Sequence, residues 1–97
     1  MGNLAVLEKI VFTESAFNDL DNIKHYIYND NENAARNVAG EILNKIDLLL
    51  TSPNIGRAGR VLRTRELIIA KYPYIVPYQV RNNKVYILRV LHTSRKW

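Results

Sequence analysis

The sequence predicts a small α+β domain: a helical hairpin packed on one face of a small, mostly antiparallel sheet. Three observations predict it. Apolar residues recur at helical spacing through residues 14–51, strand-like runs are confined to residues 66–91 and one short run at the start, and 97 residues leave room for one core. A chain of this length buries roughly 60–70% of its unfolded surface, so residues 1–97 are read as a single domain.

Residues 6–13, rich in branched side chains, read as a first strand. Thr13 then stands where a helix N-cap is wanted, and Glu14 places a carboxylate in the first turn. Ala16, Leu20, Ile23 and Ile27 recur at helical spacing, with Asp19, Asp21 and Lys24 assigned to the other face, so a helix is expected over Glu14–Tyr28. The run Asn29–Asn33 is a turn signal offering several N-caps. A second apolar stripe, Ala35, Val38, Ala39, Ile42, Ile46, Leu49 and Leu50, carries a helix to about Thr51. The stretch Gly56–Arg63 reads as a flexible basic loop. Strands are expected over Glu66–Ala70, Tyr74–Val80 and Lys84–Leu91, with Arg81-Asn82-Asn83 as a tight hairpin turn. Pro77 cannot donate to a ladder, so a local irregularity is expected beside it.

Charge is unevenly placed. Residues 1–50 carry four bases against eight acids, a net of −4, whereas residues 51–97 carry ten bases against the single acid Glu66, a net of +9. Such a basic half suggests a polyanionic partner, nucleic acid or an acidic protein. There is no cysteine and there are only two histidines, so disulfides, thiolate chemistry and a zinc site are not expected. No apolar run is long enough to span a membrane and the first residues do not read as a signal peptide, so a cytoplasmic protein without a membrane partner is expected.

The chemistry-bearing residues gather in the second half. In one continuous last strand, Ile87, Arg89 and Leu91 would share a face, with Leu88, Val90 and His92 on the other. Arg89 is then a charge inside an apolar strand. It reads first as the structural partner of Glu66 and second as a phosphate clamp. His92 can act as general acid or base, although a lone histidine ending a strand is more often a hydrogen-bonded structural residue. Arg95 lies where it can reach phosphate, Trp97 can stack on a base or cover the sheet edge, and Tyr72, Tyr74 and Tyr78 read as core packing.

Taken together, Phe12-Thr13, Ala16, Asp19-Leu20, Ile23, Tyr26-Ile27, Leu49, Ser52-Pro53, Gly56-Arg57 and Arg65-Glu66-Leu67 form a familiar series. It continues through Tyr72–Val76, Tyr78, Val80, Ile87–His92, Arg95 and Trp97. In this order they resemble the RelE/ParE superfamily of bacterial toxins from type II toxin–antitoxin modules, with a βααβββ arrangement. The resemblance implies a toxin that arrests growth and is neutralised by a cognate antitoxin. One branch looks like ribosome-dependent mRNA endonucleases, in which a ribose 2′-hydroxyl attacks the adjacent phosphate; the other inhibits DNA gyrase by binding. On the first reading, preferred here, Arg95 would stabilise charge, Glu66 would be the base and His92 the acid. Arg63, Arg65 or Lys71 would assist, and Arg57, Arg60, Arg89 and Trp97 would contact RNA or another target. The partners would be ribosome and mRNA, and no metal or cofactor is called for. Ile75 stands where such nucleases carry a further arginine, and no tyrosine follows Arg95. Alternatives are a gyrase inhibitor and a non-toxic nucleic-acid-binding module.

Overall fold

The computed structural model describes residues 7–94. Strand β1 spans Lys9–Phe12, helix α1 Glu14–Asp30 and helix α2 Glu32–Asp47, followed by a 3-10 turn at Leu48–Leu50. Strands β2 (Arg57–Ala58), β3 (Arg65–Ile69), β4 (Tyr74–Arg81), β5 (Lys84–Ile87) and β6 (Leu91–His92) follow among the described residues.

Thr13 caps α1 as expected, accepting from the Ala16 N–H at 3.1 Å, while its own hydroxyl reaches the Ile87 carbonyl at 2.9 Å. One residue joins the helices. Asn31 donates its N–H to the Ile27 carbonyl at 2.8 Å and accepts from the Ala34 N–H at 3.0 Å. It ends α1 and begins α2, because its extended backbone breaks the helix while its short side chain replaces the missing acceptor.

The sheet runs β1-β5-β4-β3-β2, with β6 continuing alongside β4 beyond the end of β5. Among the described strands only the β1–β5 pair is parallel. The helices cover one face, where Ala16, Leu20, Val38, Ile42 and Ile46 meet Leu67, Ile69, Val76, Tyr78, Val85 and Ile87. The hairpin turn is as expected, with Asn82 and Asn83 at φ 52° and 63°.

The expected last strand is not continuous. Tyr78 pairs with Ile87, but Ile75 pairs with Leu91 and Tyr74 with His92. Three residues, 88–90, therefore face two on β4, which is one residue too many. The break lies beside Pro77, whose carbonyl accepts from the Leu88 N–H at 2.9 Å but which has no N–H to return. An extra residue reverses the alternation of everything after it. Leu91 consequently lies on the face away from the helices, with its partner Ile75, and His92 lies on the helix face. The proposed sharing of one face by Ile87, Arg89 and Leu91 is thus corrected.

Candidate functional site

The expected basic loop is built rather than slack. Arg57 and Ala58 form β2 against Glu66 and Arg65. The connection closes through Gly59 N–H to the Thr64 carbonyl at 2.8 Å. It is braced by the Thr64 hydroxyl on the Val61 carbonyl and by the Gln79 amide on the Arg63 carbonyl at 3.4 Å. Arg63 takes φ 66°, a left-handed conformation that a branched side chain would resist.

Glu66 organises this hairpin. Its side chain is 1% exposed, and it accepts from Arg57 Nε at 3.1 Å, Arg57 Nη2 at 2.9 Å and the Arg60 N–H at 3.3 Å. The expected partner of Glu66 is therefore corrected: Arg57, not Arg89, holds it. Arg89 instead forks onto Asp19 of α1, with Nε on Oδ2 at 2.7 Å and Nη2 on Oδ1 at 3.0 Å. The same carboxylate accepts from the Val90 N–H at 3.0 Å, inside the bulge. This fork raises the Arg89 pKa further above its ordinary value, through the hydrogen bond to Asp19 first, against the opposing effect of burial. Asp19 was expected on the outer face of its helix. Its position three residues after buried Ala16, and beside Leu20, was the signal that it borders the buried stripe.

Arg65 lies on the helix face of the sheet end, opposite Tyr78, and donates to the carbonyls of Gly56 at 2.8 Å and Asn54 at 3.4 Å. The Tyr78 hydroxyl, wholly buried, donates to the Pro53 carbonyl at 2.7 Å and accepts from the Gly56 N–H at 2.9 Å. A Cβ at position 56 would stand 2.6 Å from that hydroxyl, which explains the glycine. Burial raises the Tyr78 pKa above its ordinary value, against smaller lowering influences from Gly56 and Arg65. Beside these groups opens a pocket of about 380 Å³ lined by Asn54, Arg63, Thr64, Arg65, Tyr78 and Gln79, among others. Arg60 and Arg63 are exposed, and no carboxylate among the described residues pairs with either side chain.

The other candidates lie elsewhere. Lys71 stands in the turn after β3, 5.8 Å from the Tyr72 ring centre, past the end of the strand that Arg65 begins, roughly 13 Å of strand away from it. His92 is exposed and packs edge-on against Tyr74, with ring centres 5.5 Å apart. Its Nδ1 accepts from the Ser94 N–H at 3.1 Å, so the neutral ring carries its proton on Nε2. Arg95 and Trp97 lie outside the described residues.

Glu66 and His92 do not converge. Glu66 pairs with Pro77 on one side of β4, and His92 with Tyr74 on the other. Their backbones stand roughly 14 Å apart, three residues along and two strands across. Tyr74 and Pro77 are an odd number of residues apart, so the side chains also leave opposite faces of the sheet. The basic residues group as Arg57, Arg60, Arg63 and Arg65 at one end of the sheet, with Lys71 and His92 at the other. Among the described residues no group of acids and histidines is placed to hold a metal ion, and no helix is long and apolar enough to cross a membrane.

This architecture has close counterparts. A chain of the chromosomal ParDE toxin–antitoxin system from P. aeruginosa superposes with a TM-score of 0.79 at 24% identity, covering 91% of this chain and 97% of that one. A chain of the RelBE2 toxin–antitoxin complex from Mycobacterium tuberculosis superposes at 0.64 with 21% identity, covering 94% of this chain and 97% of that one. At these identities the two establish the fold. In sequence, a protein of Sinorhizobium fredii (strain NBRC 101917 / NGR234) named as toxin Y4kP is 40% identical, over 93% of both chains. The Toxin RelE2 of Caulobacter vibrioides (strain ATCC 19089 / CIP 103742 / CB 15) is 32% identical, over 92% of this chain and 99% of its own. The family described as ParE toxin of type II toxin-antitoxin system, parDE, matches residues 10–97, from the first strand through the hairpin and the bulge. On that match and those relatives, the chain belongs to the ParE toxin family, within the RelE/ParE superfamily of type II toxin–antitoxin toxins.

Proposed function

We propose that this toxin arrests growth by holding a protein target, DNA gyrase as the ParE-like branch implies, and not by cutting RNA. The observation that carries the reading is the separation of Glu66 from His92. Transesterification at one phosphate needs a base on the 2′-hydroxyl and an acid on the leaving 5′-oxygen within hydrogen-bond reach of the same group. A carboxylate sealed under Arg57 on one face and an imidazole on the other face do not meet that requirement. Binding requires only a fixed, accessible surface, and the braced β2–β3 hairpin with its exposed arginines supplies one. A cognate antitoxin is the proposed second partner. Both solved counterparts come from toxin–antitoxin systems, and an acidic segment suits the charge of residues 51–97.

Ribosome-dependent mRNA cleavage is the second reading. It is favoured by the likeness to Toxin RelE2 and by the exposed imidazole of His92, and it would enlist Lys71 at that end of the sheet together with Arg95. The two are separated by inducing the toxin and mapping mRNA 5′ ends, while purified gyrase is assayed for supercoiling with added toxin. Blocked supercoiling with intact mRNA is expected. In-frame cuts that vanish in Arg95→Ala and His92→Ala, with supercoiling unaffected, would overturn the proposal.

A further inference from the structure

The tip of the β2–β3 hairpin, Arg60-Val61-Leu62-Arg63, is unusual for a surface turn. Leu62 is 83% exposed, the most of any large hydrophobic among the described residues, and Val61 beside it is 47% exposed. Surface turns favour small polar residues, because an aliphatic side chain held in water gains nothing from folding. Here the aliphatic pair is also held still. The Val61 carbonyl accepts from both the N–H and the hydroxyl of Thr64. The Arg60 N–H is tied to buried Glu66, and the Arg63 carbonyl to Gln79. Arg63 spends its backbone in the left-handed region to complete the turn. A knob that is both apolar and preorganised binds without paying again for its own ordering.

From this geometry we infer that the tip is the anchor by which the toxin grips its protein target. Leu62 and Val61 enter an apolar socket, and Arg60 and Arg63, which flank them, pair with carboxylates on its rim. The chemistry points to a protein. A nucleic acid would take the two arginines but would leave Leu62 facing phosphates, whereas an apolar socket rimmed by acids uses all four residues. The inference rests on the reading of the toxin as a binder and names the surface it binds with.

The test replaces the knob with a cation. Leu62→Lys keeps the hairpin, since the side chain touches solvent, and adds charge that phosphate or an anionic lipid surface would welcome. Growth arrest is titrated with inducer in a strain lacking the antitoxin. Leu48→Lys, an exposed leucine of the helical layer, serves as control. Supercoiling by purified gyrase is assayed with each protein. Leu62→Lys is expected to melt at the wild-type temperature yet to need at least about tenfold more toxin for the same arrest, as loss of a buried leucine implies. Leu48→Lys is expected to match wild type. Arrest by Leu62→Lys equal to or stronger than wild type would overturn the inference in favour of a phosphate-bearing target. So would a lowered melting temperature, which would make the tip a folding element, or a loss of arrest shared by Leu48→Lys. If wild-type toxin arrests growth and leaves supercoiling intact, the gyrase reading falls while the ratio of Leu62→Lys to Leu48→Lys still decides the tip. A wild-type chain that leaves growth unaffected overturns both.

Discussion

Removing the Asp19 carboxylate should test how the helical layer is fastened to the bulge. In Asp19→Ala, Arg89 loses two hydrogen bonds of 2.7 and 3.0 Å and the Val90 N–H loses one of 3.0 Å. The Arg89 side chain is 38% exposed and can turn to water, so its loss is discounted towards the value of a surface pair. Val90 is only 2% exposed, so its N–H has no such escape and bears the larger cost. The two together come to about 2 kcal/mol, between an exposed ion pair and a sealed one. For a domain of this length that corresponds to a fall of roughly 8–16 °C in Tm. Asp19→Asn, which keeps an acceptor for Val90, should recover about half of the loss. Thermal and urea unfolding followed by circular dichroism, with Arg89→Ala and the double variant completing a cycle, give the coupling directly; about 1 kcal/mol is expected. If Asp19→Ala shifted Tm by less than about 2 °C, or the cycle showed no coupling, the clamp would contribute nothing and the reasoning from burial would be refuted.

Three further outcomes follow from the same geometry. Glu66→Ala should lower stability by about 1–3 kcal/mol, measured by urea unfolding, because it strips the hydrogen-bond acceptor that holds β2; a loss of activity at unchanged stability would instead mark Glu66 as a chemical group. Burial holds the Tyr78 pKa above its ordinary value of 10.0, so the folded state keeps this proton more tightly than the unfolded chain. Its contribution is therefore whole below pH about 10 and declines as pH rises above it, so the drop in urea midpoint between about pH 8 and about pH 10.5 should shrink in Tyr78→Phe. Gly40 lies in α2 where a Cβ would meet nothing within 4 Å, so Gly40→Ala should add up to about 1 kcal/mol and raise Tm by roughly 4–8 °C in calorimetry.

Much of the fold was legible from local signals. Thr13 before Glu14, the period of Ala16, Leu20, Ile23 and Ile27, and the Asn82-Asn83 turn each announce themselves within a few residues. Capping, amphipathic spacing and positive φ are properties of short segments. The irregularity at Pro77 was visible for the same reason, since a missing N–H belongs to the residue itself. Its consequence was not. One extra residue at 88–90 turns Leu91 and His92 over, and the register that reveals it exists only once β6 lies beside β4. Pairing of charges was equally beyond sequence. Arg89 has one acid within its own half, Glu66, but the partner that folding brings to it is Asp19, 70 residues away. Glu66 is then left to Arg57, its neighbour across the short β2–β3 pair. The sequence by itself determined the two helices, the order of the longer strands and the basic character of the second half, because these follow from composition and near-neighbour spacing, while the family was legible as a resemblance carried by residues in order along the chain. Only the tertiary structure decided which faces His92 and Glu66 occupy and which arginines stay unpaired, because those depend on contacts made across the sheet between residues far apart in the chain.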